Sequence, residues 1–226
     1  MWCIPPHQNA EFVQHMEDVL EIYSRPLDSR IPVVCMDEQP IQLLADSREP
    51  IHLSQDNHTE KVDHEYIRCG TCNSFMFTEP LGGWRHVEIT RTRTKSDWAK
   101  QIKWLVDEVY GDADNIILVC DNLNTHKLSS LYENFTAEEA FRLCQKIELH
   151  HTPKHGSWLN MAEIELSVFT GQCLNRRIDT IEALQKEASA WHEARNQRQK
   201  GINWQFTTDD ARVKLKTLYP VIELKD

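Results

Sequence analysis

A chain of 226 residues, 40% hydrophobic and 27% charged, has room for one large domain or two small ones and the composition of an ordinary globular protein. No run approaches the ~18 apolar residues of a membrane span, and the start lacks the basic-then-apolar pattern of a signal peptide, so a cytoplasmic location and no membrane partner are expected. The formal net charge of −10 argues against a simple nucleic-acid binder, because phosphate contacts need Lys and Arg.

The distribution of charge softens that objection. Residues 1–170 carry 15 basic and 27 acidic side chains, whereas residues 171–226 carry 10 and 8. Acidity is concentrated where a carboxylate site would lie. Arg85 to Lys103 holds six basic residues against two acidic ones, either a phosphate-facing strip or a solvated surface. Seven scattered cysteines suit a reducing compartment, with Cys35 and Cys120 in apolar runs that read as buried strands. Cys69 and Cys72 have metal-like spacing but no second pair to complete a zinc site, and read as a turn between strands.

In chain order, apolar residues at Phe12, Met16, Val19 and Leu20 predict a helix over Glu11 to Tyr23. Ile31 to Met36 is a short β-rich run with Asp37 directly after it. The extended pattern resumes at Ile41 to Ala45, so Asp37 is expected within or at the end of a long strand or strand pair. A polar loop follows over 46–62, then a further short strand at His64 to Arg68. Ser74 to Glu79 and Trp84 to Thr90 flank a Gly-rich turn and predict a hairpin. A helix opens at Ser96 with Trp98, Ile102, Leu105, Val106 and Val109 on one face, and Gly111 stops it. Ile116 to Cys120 reads as a strand buried on both faces, with Asp121 at its end. Beyond it lie a polar helix around Ala137 to Lys146, a strand at Ile147 to His151, and a break at Pro153 and Gly156. Three helices then follow, over Leu159 to Leu174, after an Asp179/Glu182 capping box, and over Asp209 to Leu218. This order predicts an α/β layer architecture with a mixed sheet.

Val33-Val34-Cys35-Met36-Asp37 and Leu118-Val119-Cys120-Asp121 are alike, each an apolar strand delivering an acid. If the strands are neighbours, both carboxylates reach one sheet edge, and they repel unless a cation lies between them. Such oxygen ligands suit Mg²⁺ or Mn²⁺; the alternative is that each Asp merely caps a strand. A third ligand has to come from elsewhere, and Glu163 and Glu165 both lie at a helix start. Two positions apart they point about 200° from one another, so only one can face the metal and the other is expected to be a solvated surface acid. Spacing does not choose between them. His150 and His151, adjacent on a strand, point to opposite faces and form no metal pair.

Three motifs in order are more specific: Met36-Asp37-Glu38, then Asp121-Asn122-Leu123-Asn124-Thr125-His126, then His151-Thr152-Pro153-Lys154-His155-Gly156-Ser157-Trp158-Leu159-Asn160-Met161-Ala162-Glu163. From about Trp2 to Pro220 the chain resembles the DDE endonuclease domain of bacterial insertion-sequence transposases, in the six-thirty family of the mariner-like superfamily. The resemblance implies a ribonuclease-H-like fold, a five-stranded mixed sheet flanked by helices with extra C-terminal helices. It divides the chain into a linker and helix over 1–30, a catalytic core over 31–178 and a helical extension over 179–226. Its third-acid motif selects Glu163 over Glu165. The 41 residues between Asp121 and Glu163 exceed the superfamily's usual interval, which extra residues between Ser129 and Lys146 would absorb.

The resemblance further implies metal-dependent cleavage and strand transfer of double-stranded DNA at terminal inverted repeats, into target DNA at TA dinucleotides. Asp37, Asp121 and Glu163 are the implied catalytic and metal-binding residues for two Mg²⁺ (or Mn²⁺), with Asp37 bridging both. Asn122 and His126 are candidates for orienting the metal shell or touching phosphate, and Lys154, His155 and Ser157 for contacting the DNA backbone. Trp158 is expected to pack. Paired transposon ends imply a homodimer. Full-length relatives begin with helix-turn-helix modules that read the ends; here Met1 leads almost at once into what resembles a linker, so the chain by itself is expected to cleave poorly or without sequence preference. Two rival classes stay open on the residues alone: a catalytically silent DNA- or protein-binding module, and a plain ribonuclease-H-like nuclease.

Overall fold

A computed structural model of the chain describes residues 7–49, 63–198 and 200–221; most of the loop expected over 46–62 lies outside the described residues. The elements in order are α1 (Ala10–Ser24), β1 (Val33–Asp46), β2 (Tyr66–Glu79), β3 (Trp84–Thr90), α2 (Lys95–Trp104), β4 (Ile116–Cys120), α3 (Ser129–Tyr132), α4 (Ala137–Lys146), β5 (Ile147–His151), α5 (Met161–Cys173), α6 (Ile181–Asn196) and α7 (Thr208–Lys214). The strands form one sheet in the order β3-β2-β1-β4-β5, antiparallel across β1, β2 and β3 and parallel across β1, β4 and β5. That is the expected mixed sheet flanked by helices.

Strand alternation sorts the core into two halves. Cys35, Ile117, Val119 and Met76 face one side, packed by Met16, Val19 and Leu20 of α1 and by Met161, Ala162 and Phe169 of α5. Val34, Met36, Phe75, Phe77, Leu118 and Cys120 face the other, against Trp98 and Ile102 of α2 and Leu143 of α4. Every residue of β4 is buried, as its unbroken apolar run requires.

The first edge strand is guarded by side chains. Asn196 of α6 accepts from the backbone N–H of Arg85 (2.9 Å) and donates to its carbonyl (2.8 Å). His192 Nδ1 accepts from Val87 N–H (3.4 Å), and Gln185 donates to the Ile89 carbonyl (3.2 Å). One helix thus satisfies the outward backbone groups of alternate β3 residues, which removes a template for pairing with another chain. No described helix is long and apolar enough to cross a membrane.

Several expected boundaries move. The runs around Asp37 form one 14-residue strand, so Asp37 lies inside it rather than at its end. The segments 64–68 and 74–79 likewise merge into β2, and Cys69 and Cys72 lie in that strand rather than in a turn. Pairing to β1 supplies the missing apolar signal. A register shift between Leu43 and Leu44 faces Gly70, whose φ of 116° only glycine adopts without strain. The helix opening near Ser96 starts one residue earlier, because Thr94 and Asp97 form a capping box, and it runs into a π-turn over Leu105–Val109. The cap of α6 is Thr180, which accepts from Ala183 N–H, and not Asp179: extended backbone at Thr180 aims its hydroxyl at the helix. The helix expected over Leu159 to Leu174 splits into a 3-10 turn at Ser157–Leu159 and α5, and the last one into α7 and a 3-10 turn at Lys216–Leu218. The short helix α3 has no counterpart among the expected elements.

Candidate metal centre

Parallel pairing sets Cys35 opposite Val119, and two residues further along each strand direction come Asp37 and Asp121. The sheet thereby brings the two acids to one place. Asp37 stays in the ladder of β1 with β2, whereas Asp121 stands one residue beyond β4, where the chain leaves the sheet.

Glu163 arrives from α5, held by the cap of that helix. Asn160 is buried; its Oδ1 accepts from Ala162 N–H (3.1 Å), and its Nδ2 donates to the carbonyl of Met36 (2.9 Å), next to Asp37. Tyr23 of α1 adds a second tie, donating its hydroxyl to the Leu159 carbonyl at 2.7 Å with Cys35 Sγ 3.3 Å away. The start of α5 is thus fastened to β1 at Met36, next to Asp37, and the turn before it to α1. The Ser157 hydroxyl lies close enough to favour the charged form of the Glu163 carboxylate.

The three acids act on one another through their charges, although their oxygens do not all come within 4.8 Å of one another. Burial raises the Asp37 carboxyl to about 7, opposed by the Glu38 N–H it accepts and reinforced by the charges of Glu163, Asp121 and Glu38. Burial, with the Asp121 charge, also holds Glu163 above the usual carboxylate range. Such a cluster is destabilised by its own charge, and a cation reverses the sign. The donor set is all oxygen, and Asp121 Oδ1 is buried with no directed hydrogen-bond donor, so these residues fit hard divalent cations such as Mg²⁺ or Mn²⁺.

Two motif residues flank the acids: His126, expected to orient the metal shell or touch phosphate, and Glu38, to which the motif gave no role. Glu38 follows Asp37 and points to the opposite face, where its side chain is 2% exposed. His126 is completely buried between Glu38 and Asp121, with Nε2 2.6 Å from Glu38 Oε1 and Nδ1 2.6 Å from Asp121 Oδ1. The Asp121 contact is a charge contact off the hydrogen-bond direction, and the Asp121 carbonyl lies 3.2 Å from the same nitrogen. Burial by itself lowers the His126 pKa; the contacts with Asp121, Cys120 and Glu38, with the Glu38 charge, outweigh it and push the imidazole up to about 12. Glu38, Asp121 and His126 are the group with metal-ligand proximity among the described residues, their donor atoms all within 4.8 Å of one another. The motif contains Glu38 but does not reveal its partner, which lies 88 residues away.

Glu165 corrects the expectation of a solvated surface acid. It is buried in α5, where Arg85 Nη2 stands 3.1 Å from Oε1 and Arg195 Nη2 2.9 Å from Oε2. A charge two residues from Glu163 faces the other way, as helical geometry demands, but β3 and α6 cover that side. Arg85 is consequently lost from the basic strip. His150 spans Asp18 (2.7 Å) and Glu148 (2.9 Å), away from the acids, while His151 Nδ1 lies 3.2 Å from the Asp121 carbonyl. Trp158 packs edge-on against Phe206.

Beside Asp121 opens a cleft of about 470 Å³ whose lining includes His15, Asn122, Lys154, His155 and Ser157. His155 has φ 65°, a left-handed conformation rare outside glycine, and a Cβ at the next residue, Gly156, would meet the Pro153 ring at 2.4 Å. The tight turn presents Lys154 and His155 at the cleft, and neither has an ion-pair partner among the described residues.

Residues 32–185 match the family described as DDE superfamily endonuclease, and the chain belongs to that family. Among solved structures it resembles the catalytic domain of Mos1 mariner transposase (15% identity, TM-score 0.55, 85% of this chain against 86% of that one). It also resembles the mariner Mos1 paired end complex with Mg (14%, TM-score 0.60, 97% against 66%) and a pre-cleavage Mos1 transpososome (15%, TM-score 0.58, 99% against 67%). These likenesses establish the ribonuclease-H-like fold of a mariner transposase catalytic domain. The chain spans 58% of the Mos1 chain in its paired end complex with Mn. No curated protein matches it.

Proposed function

We propose that the chain is the catalytic domain of an insertion-sequence DNA transposase, with its core over 31–178 and a helical extension over 179–226. Asp37, Asp121 and Glu163 would hold two Mg²⁺ or Mn²⁺ ions. The observation that carries this reading is the parallel register of β1 and β4, which brings Asp37 and Asp121 to one place, where their charges and that of Glu163 add to burial in raising the Asp37 carboxyl to about 7. A buried Asp37 carboxyl beside the charges of two further acids is an arrangement suited to a cation.

Bound divalent ions supply activation of a water or a DNA 3′-hydroxyl and charge neutralisation at the scissile phosphate. The protein's part is positioning. Asn160 and Tyr23 hold the start of α5 so that Glu163 meets the strand acids. Lys154 and His155, with Asn122 and Ser157, line the cleft where a DNA strand would approach Asp121, and the Lys154 and His155 donors suit phosphate oxygens. The partners are double-stranded transposon ends with terminal inverted repeats, target DNA and a second copy of the chain, acting in the cytoplasm.

The test is nicking of supercoiled plasmid with Mn²⁺ or Mg²⁺ by the wild-type chain, Asp37→Asn and Glu163→Gln. Wild type should convert supercoiled to open-circular DNA only with metal. Each variant should lose on the order of 100-fold or more, since outer-shell changes alone cost about 10–100-fold. Unchanged nicking in either variant sinks the ligand assignment, and DNA binding without nicking by wild type points to a silent module.

A further inference from the structure

We infer that Glu38 is a positioning residue that fixes the Asp121 carboxylate through His126, an inference that rests on reading Asp121 as a metal ligand. Asp37 and Glu38 are consecutive on β1 and point to opposite faces. Asp37 faces the α5 side, with Cys35 and Met161; Glu38 faces the α2 side, with Met36 and Trp98. Asp121 has left the sheet and has no ladder bonds to orient it. His126 supplies the orientation. Its rigid ring spans the gap: Nε2 hydrogen-bonds to Glu38 Oε1 at 2.6 Å, and Nδ1 holds the Asp121 carbonyl at 3.2 Å and stands in charge contact with Oδ1 at 2.6 Å.

The ring itself cannot wander. Its backbone N–H bonds to the Leu123 carbonyl at 3.0 Å, the Trp98 ring lies roughly parallel with centroids 6.0 Å apart, and the side chain is fully buried. Glu38 is anchored on the β1–β2 ladder, opposite Phe75. A chain therefore runs from a fixed strand residue, through a fixed ring, to the acid at the mouth of the cleft. The same three residues could be read as a cation site of their own, but both ring nitrogens face carboxylates, and a histidine ligand needs a free lone pair. A buried charge cluster of this kind is weak as a stability device, because apolar groups of similar volume commonly do as well. Orienting a ligand is a use apolar groups cannot serve.

Mn²⁺ binding, measured by isothermal titration calorimetry on the whole chain, tests the role, with thermal unfolding in metal-free buffer as the control for folding. Glu38→Ala should weaken Mn²⁺ binding about 10–100-fold, while Glu38→Gln, which keeps an acceptor for the ring, should stay within about threefold of wild type. Should Glu38→Ala fail to fold, the double variant Glu38→Leu/His126→Leu replaces the link by apolar groups against Trp98 and should show the same weakening. Wild-type affinity in the folded variant that lacks the link overturns the inference, and so does equal loss in Glu38→Gln and Glu38→Ala, which would make Glu38 a ligand. Asp121→Asn separates the two readings. If it binds Mn²⁺ like wild type, the assignment of Asp121 as a ligand has failed; if it loses Mn²⁺ while the variants lacking the link keep it, only the positioning role has.

Discussion

Glu163 and Glu165 stand two positions apart on α5 and meet opposite fates. Glu165 is buried against Arg85 and Arg195, so Glu165→Ala leaves Arg85 as an uncompensated buried charge. Urea unfolding should show a loss of about 3–5 kcal/mol, the range for breaking a buried pair. Glu163→Gln should leave metal-free stability unchanged or raised, because burial and Asp121 already disfavour its charged form. A loss in Glu163→Gln equal to that in Glu165→Ala would contradict this division. The strand positions of Asp37 and Asp121 were legible in the sequence because each follows a short β-rich apolar run. Glu163 was legible only through its motif. The burial of Glu165 and the place of Glu38 were not legible, since Arg85 and His126 lie 80 and 88 residues from them along the chain.

At the scale of elements, the joints matter more than the helices and strands themselves. Asn160 both caps α5 and ties it to β1, so Asn160→Ala should cost about 1 kcal/mol for the cap and a further ~1–3 kcal/mol for the buried Met36 carbonyl left without its donor. Denaturant unfolding reads the total, and a loss under ~0.5 kcal/mol would show the tie to be idle, since caps alone cost at least that much. The α6–β3 joint should be acid-sensitive. Burial, helped by His86, holds His192 down at about 4, and its Nδ1 accepts from Val87 N–H. The folded pKa is depressed below the unfolded ~6.5, so the unfolded chain binds the proton first and stability falls as pH drops from ~6.5 towards 4. Replacing His192 with Asn should flatten that part of the stability–pH curve relative to wild type, and an unchanged slope would count against the joint. Periodicity made the elements readable, but their ends depended on local events that it does not encode: the Gly70 bulge, the π-turn after Trp104 and the one-residue shift of the α6 cap to Thr180.

For the whole molecule, the order of strands and helices was enough to foresee a mixed sheet, because a parallel strand needs a crossover and a hairpin does not. The docking of α6 along β3 was not foreseeable, since it depends on Asn196, His192 and Gln185 meeting backbone groups more than 90 residues away. Self-repulsion of the carboxylates makes stability of the entire fold respond to metal. At about 100 times its dissociation constant, Mn²⁺ should stabilise by ~2.7 kcal/mol per site. For a domain of this size that is a rise of roughly 5–10 °C in Tm per site, read by calorimetry against EDTA. Asp37→Asn should raise the metal-free Tm and remove most of the response. A response unaltered by Asp37→Asn would place the ion elsewhere.

The central claim is that Asp37, Asp121 and Glu163 make one cation centre, and locating the metal tests it most directly. Anomalous scattering from crystals grown with Mn²⁺ should show density between these three carboxylates, with His126 still linking Glu38 to Asp121. Density at Glu38, Asp121 and the His126 ring, with Asp37 and Glu163 unliganded, would contradict the account.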